Sequence, residues 1–351
     1  MRAVGIDPGT GSFDFFGMDG DKVILDTTIP VPQIAENPEI LLDVLHGVMP
    51  LDIIVGPSGY GLPITPVKDM GERELNLMVP DDKSIPLYDG IRMVLRLMKG
   101  EGLPVYFTPG VIHLNTVPGY RKANKMDMGT ADKVCCSVLA VCDQAEHLDI
   151  KYDETSFILA EIGFAFNAVI GVSRGKIVDG LGGTAGGPGF ITVGTLDAET
   201  AIRIGKFPGA AIFTGGAKDA GDKADLTPEE MAEDPERFAA SWNMMLESIQ
   251  KSIMAMLVSV ESPKEILLSG RLSRIPEISA ALVKRLGKYA PVRPVGRKAE
   301  VAKEAAEGAY MIGEGLMGGK YKNLIATMEL EHAKGTMYDH ILMKGVEITK
   351  P

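Results

Sequence analysis

The chain has 351 residues, of which 45% are hydrophobic and 24% are charged, and its formal net charge at pH 7 is -11. This length allows two domains of ordinary size. The negative charge argues against nucleic acid or an anionic membrane surface as a main partner, because both attract clustered positive charge. With neither a leader peptide nor an apolar run of about 18 residues, we expect no membrane span and a cytoplasmic protein.

The first twelve residues, MRAVGIDPGTGS, place an acidic residue at the end of an apolar run. The run predicts a strand that delivers Asp7 into a Pro-Gly-Thr-Gly-Ser turn, and a second strand leads away from the turn. Backbone N–H groups and hydroxyls in such a turn bind anions, and Asp7 is suited to hold a cation directly or through water. The alternative is a plain β-hairpin with a glycine-rich turn. The residues of the anion site are Gly9, Thr10, Gly11 and Ser12.

The remainder of the first half alternates strands and helices, and two stretches lack periodicity. Residues 59–86 and 108–125 are the stretches predicted as long loops, which in a compact domain often carry function. The periodic elements are a strand over 22–29, a helix over 38–48, a strand over 52–55, a helix over 88–99 and a strand over 105–107.

The segment KMDMGTADKVCCSVLAV, residues 125–141, places Asp127 just before a Gly129-Thr130 pair that can begin a helix. Apolar residues then recur at helical spacing, which predicts a long buried helix. Asp127 is either a functional carboxylate or a helix cap. All three cysteines of the chain lie in this helix, and their spacing fits neither a disulfide framework nor a zinc site, so we expect buried thiols.

The second half repeats the order of the first. Three strands come in succession, a glycine-rich loop follows over 179–189, and helices then alternate with strands. Residues 321–351 are predicted as a final helix and tail. The periodic elements are strands over 157–162, 168–172 and 176–178, a helix that begins at Thr227 or Asp234 and runs to about 260, a strand over 265–268, a helix over 276–286, a strand over 292–295 and a helix over 299–317.

A duplicated three-strand meander with a D-x-G-T turn after the first strand resembles the actin, sugar kinase, heat-shock ATPase and acetate kinase superfamily. The resemblance implies an α/β fold of two ribonuclease H-like (actin-like ATPase) domains, each βββαβαβα, with a nucleotide cleft between them. The domains are expected at 1–150, ending in a connecting helix over 129–147, and at 151–351. The matching segments are GIDPGTGS at 5–12, MDMGTADKV at 126–134, AEIGFAFNAVIGVSRGKIVDG at 160–180, ILLSGRLSR at 266–274 and AKEAAEGAYMIGEGL at 302–316.

Residues 158–197 are most similar to the acetate and butyrate kinase branch, and the whole sequence resembles an archaeal family labelled predicted butyrate kinase. That branch has an H-x-G-x-G turn, in which Glu161 and Ala165 stand here for the histidine and the second glycine. Arg121 and Arg174 are the candidates for the arginines that grip the acceptor. The resemblance implies an ATP-dependent kinase that makes an acyl phosphate from a small acid.

The resemblance also implies roles for individual residues, with ATP and Mg²⁺ as cofactors. Asp7 and Asp127 are expected to hold metal and, with Arg121, to act in catalysis, where Asp127 is the base or the orienter of the acceptor. The partners are ATP and a small acid, and a homodimer is left open. The expected nucleotide-binding residues are Gly9, Thr10, Gly11, Ser12, Gly163, Phe164, Asn167, Ser269, Gly270, Arg271 and Gly308, and the acceptor loop contains Gly182, Gly183, Thr184, Gly186 and Gly187.

Three other classes of protein are alternatives to a kinase. A switch ATPase of the kind that activates radical dehydratases needs exposed cysteines for an iron–sulfur cluster, whereas these cysteines are packed in a helix. A nucleotide-binding sensor without turnover is favoured by Glu161 and Ala165. A Rossmann dehydrogenase fails on pattern, because residues 5–9 are not G-x-G-x-x-G and an acid at the strand end repels pyrophosphate unless a metal intervenes.

Overall fold

The computed structural model describes residues 1–56 and 59–345. Its first half forms a six-stranded sheet with helices packed on it. The strands are β1 (Arg2–Pro8), β2 (Ser12–Asp19), β3 (Lys22–Pro30), β4 (Ile53–Val55), β5 (Thr65–Pro66) and β6 (Val105–Phe107). The helices are α1 (Val31–Glu36), α2 (Ile40–His46), α3 (Glu72–Met78), α4 (Pro86–Gly100), α5 (Gly119–Lys122) and α6 (Ala131–Leu148).

The second half forms a five-stranded sheet, also covered by helices. The strands are β7 (Ser156–Ile162), β8 (Asn167–Ser173), β9 (Lys176–Leu181), β10 (Glu265–Ser269) and β11 (Val292–Pro294). The helices are α7 (Ala198–Ile204), α8 (Pro228–Glu233), α9 (Ala239–Met256), α10 (Pro276–Leu286), α11 (Glu304–Leu316) and α12 (Lys322–Met328).

The two sheets have the same topology. In each sheet the first strand, β1 or β7, is central, and the next two strands follow on one side in antiparallel order. On the other side, β4 and β6 in the first sheet and β10 and β11 in the second run parallel to it. The duplicated order predicted from the sequence is therefore confirmed, and β5 is an added short strand at the edge of the first sheet.

Central strands buried on both faces carry continuous apolar runs, which explains the sequence of β1. Ala3, Val4 and Ile6 are all buried there. Helix α11 packs against β1 and crosses α6, and with α12 it belongs to the hydrophobic core of the first sheet. The end of the chain thus returns to the first half, and the division at residues 150 and 151 stays a prediction.

Two predicted helices have different bounds in the structure. The helix expected to reach residue 260 from Thr227 or Asp234 is divided into α8 and α9, because Asp234 precedes a proline and lies outside the helical region, with φ -133 and ψ 69. The helix expected over 299–317 begins at Glu304. The N–H groups of residues 298–302 are bound instead by the carboxylates of Glu307 and Asp26.

The stretch 59–86, predicted as a loop, contains β5 and α3. The tail predicted over 321–351 begins with α12, and residues 346–351 lie outside the described part of the chain. Over residues 1–56 and 59–345, no helix combines the length and the apolar character that a membrane crossing requires.

Candidate functional site

One cleft receives a turn from each sheet. The β1–β2 turn lines one side, and the β7–β8 turn lines the other. Both turns follow the central strand of their sheet, so the duplicated fold brings them face to face. The lining residues that were predicted from the sequence are Asp7, Gly9, Thr10, Gly11, Ser12, Asp127, Gly163, Phe164, Gly183, Thr184 and Arg271.

Arg271 connects the two sides of the cleft. It follows β10 in the second half, and its guanidinium carbon lies 5.3 Å from the ring centroid of Phe164. Its Nη1 also lies 3.9 Å from the position that a Cβ on Gly11 would occupy. The guanidinium therefore extends from the second sheet to the glycine-rich turn of the first, where it can bind an anion held by that turn.

A buried acidic pair lies beneath the β1–β2 turn and holds a lysine. Lys303 Nζ lies 3.0 Å from Asp7 Oδ2 and 2.8 Å from Asp14 Oδ2. Burial raises the pKa of Asp7, against the effect of the ammonium. For Lys303, burial lowers the pKa, but the two carboxylates outweigh it and the net shift is upward. The lysine is therefore a charged ammonium between two acids at neutral pH.

A second lysine of the cleft is also held between two acids. Lys133, in the first turn of α6, places its Nζ 2.5 Å from Asp132 Oδ2 and 2.9 Å from Glu161 Oε2. Burial raises the pKa of Glu161, and Lys133 opposes that rise. Glu161, which stands for a histidine of the acetate kinase branch, therefore supports a cation at the end of β7.

Asp127 lies where the two halves of the chain meet. Its Oδ1 accepts the backbone N–H of Gly129 at 2.9 Å, and its Oδ2 accepts both the N–H and the hydroxyl of Thr184 at 3.2 and 3.3 Å. Gly182 packs so closely on the carboxylate that a Cβ there would overlap it. The carboxylate is thus oriented by the loop after β9, and its exposed edge lines the cleft.

Beyond Asp127 the cleft has apolar walls that the sequence did not predict. Tyr60 and Tyr88 lie there, and burial raises the pKa of Tyr60 well above its usual value, so its phenol stays protonated. The backbone N–H of Ala210 donates to Ser84 Oγ at 3.0 Å, which links the segment that carries Phe213 to the segment that carries Tyr88. The side chains of this apolar wall are Tyr60, Met78, Val79, Tyr88, Ile91, Phe166, Ile212 and Phe213.

Several predicted site residues do not line the cleft. The guanidinium of Arg121 donates to the carbonyl of Val178 at 2.8 Å and lies 3.7 Å from Asp179 Oδ2, so it is bound at another surface. Gly308 lies inside α11, where a Cβ would overlap the backbone carbonyl of Cys135 in α6. The others outside the lining are Asn167, Ser269, Gly270, Gly182, Gly186, Gly187 and Arg174.

Two carboxylates beside the anion turn are the candidates for a magnesium site. Within residues 1–56 and 59–345, no group of three or more acidic, histidine or cysteine side chains is arranged to hold a metal. Asp7 and Asp14 nevertheless present two carboxylates at one cation position beside the anion turn, which fits Mg²⁺ bound through few protein ligands and phosphate oxygens. Both oxygens of Asp127 already accept hydrogen bonds.

The model of a family described as "Protein of unknown function (DUF1464)" matches residues 5–343. The chain belongs to this family. No curated protein matches the sequence.

Solved structures show the fold of the chain. An acetate kinase from Entamoeba histolytica has a TM-score of 0.62 and 12% identity and covers 82% of this chain and 87% of its own. An acetate kinase from Porphyromonas gingivalis has a TM-score of 0.60 and 13% identity, and the match covers 88% of this chain and 98% of that kinase. A propionate kinase from Francisella tularensis has a TM-score of 0.60 and 12% identity, and the match covers 86% of this chain and 98% of the propionate kinase. The chain has the two-domain actin-like fold of the acetate and sugar kinase superfamily.

Proposed function

We propose that this protein is an ATP-dependent phosphotransferase that uses the cleft between its two sheets. The observation that carries the proposal is the convergence, in one cleft, of two facing turns, an oriented carboxylate and three cationic side chains. Phosphoryl transfer requires mainly positioning and neutralisation of charge, and these groups supply both.

The phosphates of ATP bind between the two turns. The backbone and hydroxyls of residues 9–12 face them from the first sheet, Lys133 at the start of α6 adds positive charge, and Arg271 brings positive charge from the second half of the chain. Asp7 would hold magnesium beside the phosphates. When bound there, magnesium would neutralise phosphate charge.

The acceptor lies between the terminal phosphate and the apolar wall, beside Asp127. We propose a small carboxylic acid of the butyrate or acetate type, which is converted to an acyl phosphate. The apolar wall around Tyr60 and Phe213 suits a short hydrocarbon chain. The shared fold with acetate and propionate kinases supports this class of acceptor.

A second acceptor class is favoured by the geometry of Asp127. An alcohol needs a general base, and a carboxylate oriented by Gly129 and Thr184 is suited to accept its proton. A carboxylic acid, by contrast, is repelled by Asp127 unless a phenol or a cation compensates. The two classes differ in their product, which is an acyl phosphate in one case and a phosphate ester in the other.

The test is incubation of the purified protein with magnesium-ATP and two panels of acceptors, short carboxylic acids and apolar alcohols. Release of ADP reports turnover, hydroxylamine traps acyl phosphates, and ³¹P NMR detects phosphate esters. Acceptor-dependent ADP release with a trapped or detected product supports the proposal. ADP release without any acceptor, at a rate that an added protein changes, points instead to a switch ATPase. Absence of nucleotide binding overturns the proposal.

A further inference from the structure

Lys303 occupies the position at which a cation is expected in the nucleotide site. Its Nζ bridges Asp7 and Asp14, two buried carboxylates on the facing strands β1 and β2. It also lies directly beneath the anion turn, since a Cβ on Gly9 would overlap this atom. The lysine therefore contacts both the acidic pair and the turn that faces the phosphates.

The backbone that carries Lys303 is firmly held. Asp26 accepts the N–H groups of residues 300–302 at 2.7 to 3.1 Å, and Glu307 accepts those of residues 298 and 299. Lys303 itself is the residue before the first turn of α11. Movement of the ammonium must therefore come from rotation of its four-carbon side chain, which is flexible by nature.

The charges explain why the ammonium would have to move. Two carboxylates and one lysine leave a net charge of about -1 at this position, which attracts a divalent cation. A magnesium ion on Asp7 and an ammonium within 3.0 Å of the same carboxylate oxygen repel each other strongly in a buried site. Lys303 and the anion turn both line the cleft, so the ammonium lies within reach of a phosphate held by that turn.

We propose that Lys303 is a phosphate-binding residue that exchanges partners: it neutralises Asp7 and Asp14 when no metal is bound, and it turns to the nucleotide phosphates when magnesium takes these carboxylates. The inference rests on the proposed function, because it requires a nucleotide in this cleft. The ammonium of Lys303 then neutralises phosphate charge in addition to the metal. It also makes metal binding without nucleotide weak, since the metal must displace the ammonium.

The test uses Mn²⁺ alone and ATP alone as probes. Mn²⁺ titration without nucleotide, followed by electron paramagnetic resonance, compares the wild type with Lys303→Met, and calorimetry in the presence of EDTA measures metal-free ATP binding. We expect Lys303→Met to bind Mn²⁺ at least tenfold more tightly and metal-free ATP at least tenfold more weakly. Lys284→Met, which removes an exposed lysine on α10, should change neither affinity more than about twofold.

Two further variants separate charge from folding. Lys303→Arg keeps the charge and should bind metal-free ATP within about threefold of the wild type. Lys303→Gln keeps a donor toward Asp7 and replaces the methionine variant if circular dichroism shows that variant unfolded. If a folded, uncharged variant binds both probes with unchanged affinity, the proposed role of Lys303 is overturned, whereas the proposed function is not. A wild type that binds no ATP, with or without metal, overturns the proposed function as well.

Discussion

Asp127 Oδ2 accepts hydrogen bonds from both the backbone N–H and the hydroxyl of Thr184, at 3.2 and 3.3 Å. Asp127 precedes α6 of the first half, whereas Thr184 belongs to the loop after β9 of the second. The carboxylate that the sequence assigned to catalysis is thus oriented by the opposite half of the chain. Its other oxygen, Oδ1, accepts the N–H of Gly129 from its own half, so both halves together set its direction.

Replacement of Asp127 by asparagine should abolish turnover and spare nucleotide binding. The amide keeps the shape of the side chain but takes no proton and orients the acceptor differently, so we expect the rate of ADP release to fall by about 10²- to 10⁴-fold. The ATP dissociation constant from calorimetry should stay within about threefold. Asp153→Asn, at an exposed position, is the matched control. A pure helix cap would instead cost about 1 kcal/mol of stability and leave activity unchanged.

Replacement of Gly182 by alanine should lower activity without a comparable loss of stability. The added methyl group overlaps the Asp127 carboxylate, so the side chain must turn away from Thr184. We expect at least a tenfold loss of turnover with the fold intact by circular dichroism. Gly90→Ala is the control, because a Cβ at that helical position meets no atom within 4 Å. Equal activity of the two variants would contradict the orienting role of the loop after β9.

Local patterns explain why much of the fold was predictable. The strand that ends near Asp7 and the turn after it are determined by residues adjacent in sequence, and the same is true of the strands around Gly163. Each half repeats one order of elements, and the resemblance to the superfamily implied a cleft between the two halves. Buried strands and helices with strong periodicity were located within a few residues of their observed bounds.

Contacts between distant segments were not predictable in this way. Lys303 contacts Asp7, which lies 296 positions earlier in the sequence, and no local pattern distinguishes this lysine from a surface lysine. The same limit applies to the apolar wall, where Tyr60 and Phe213 come from stretches without periodicity. Arg121 was expected at the acceptor, but the carbonyl of Val178 binds its guanidinium. A sequence shows which groups are available, whereas packing decides which of them meet.

Replacement of Gly308 by alanine should destabilise the crossing of α11 and α6. The new Cβ overlaps the backbone carbonyl of Cys135, so the helices must separate. Overpacking of this kind lowers the free energy of unfolding by about 1 to 3 kcal/mol, whereas the higher helix propensity of alanine raises it by about 1 kcal/mol. Urea unfolding should show a lower midpoint, while Gly90→Ala should be neutral or slightly stabilising. A midpoint equal to that of the wild type would show that the two helices adjust without cost.

Acidification should destabilise the protein through His113. Burial lowers the pKa of this side chain to about 4, and its Nδ1 accepts the N–H of Gly110 at 3.2 Å, which needs the neutral ring. Since the unfolded chain has a pKa near 6.5, it binds the proton first, and stability that is complete above that pH is lost as the pH falls toward 4. Between pH 7 and pH 5 the expected loss from this residue is about 2 kcal/mol. His113→Asn keeps an acceptor without titrating, so its urea midpoint should change less over this range; parallel pH profiles for the two proteins would contradict the assignment.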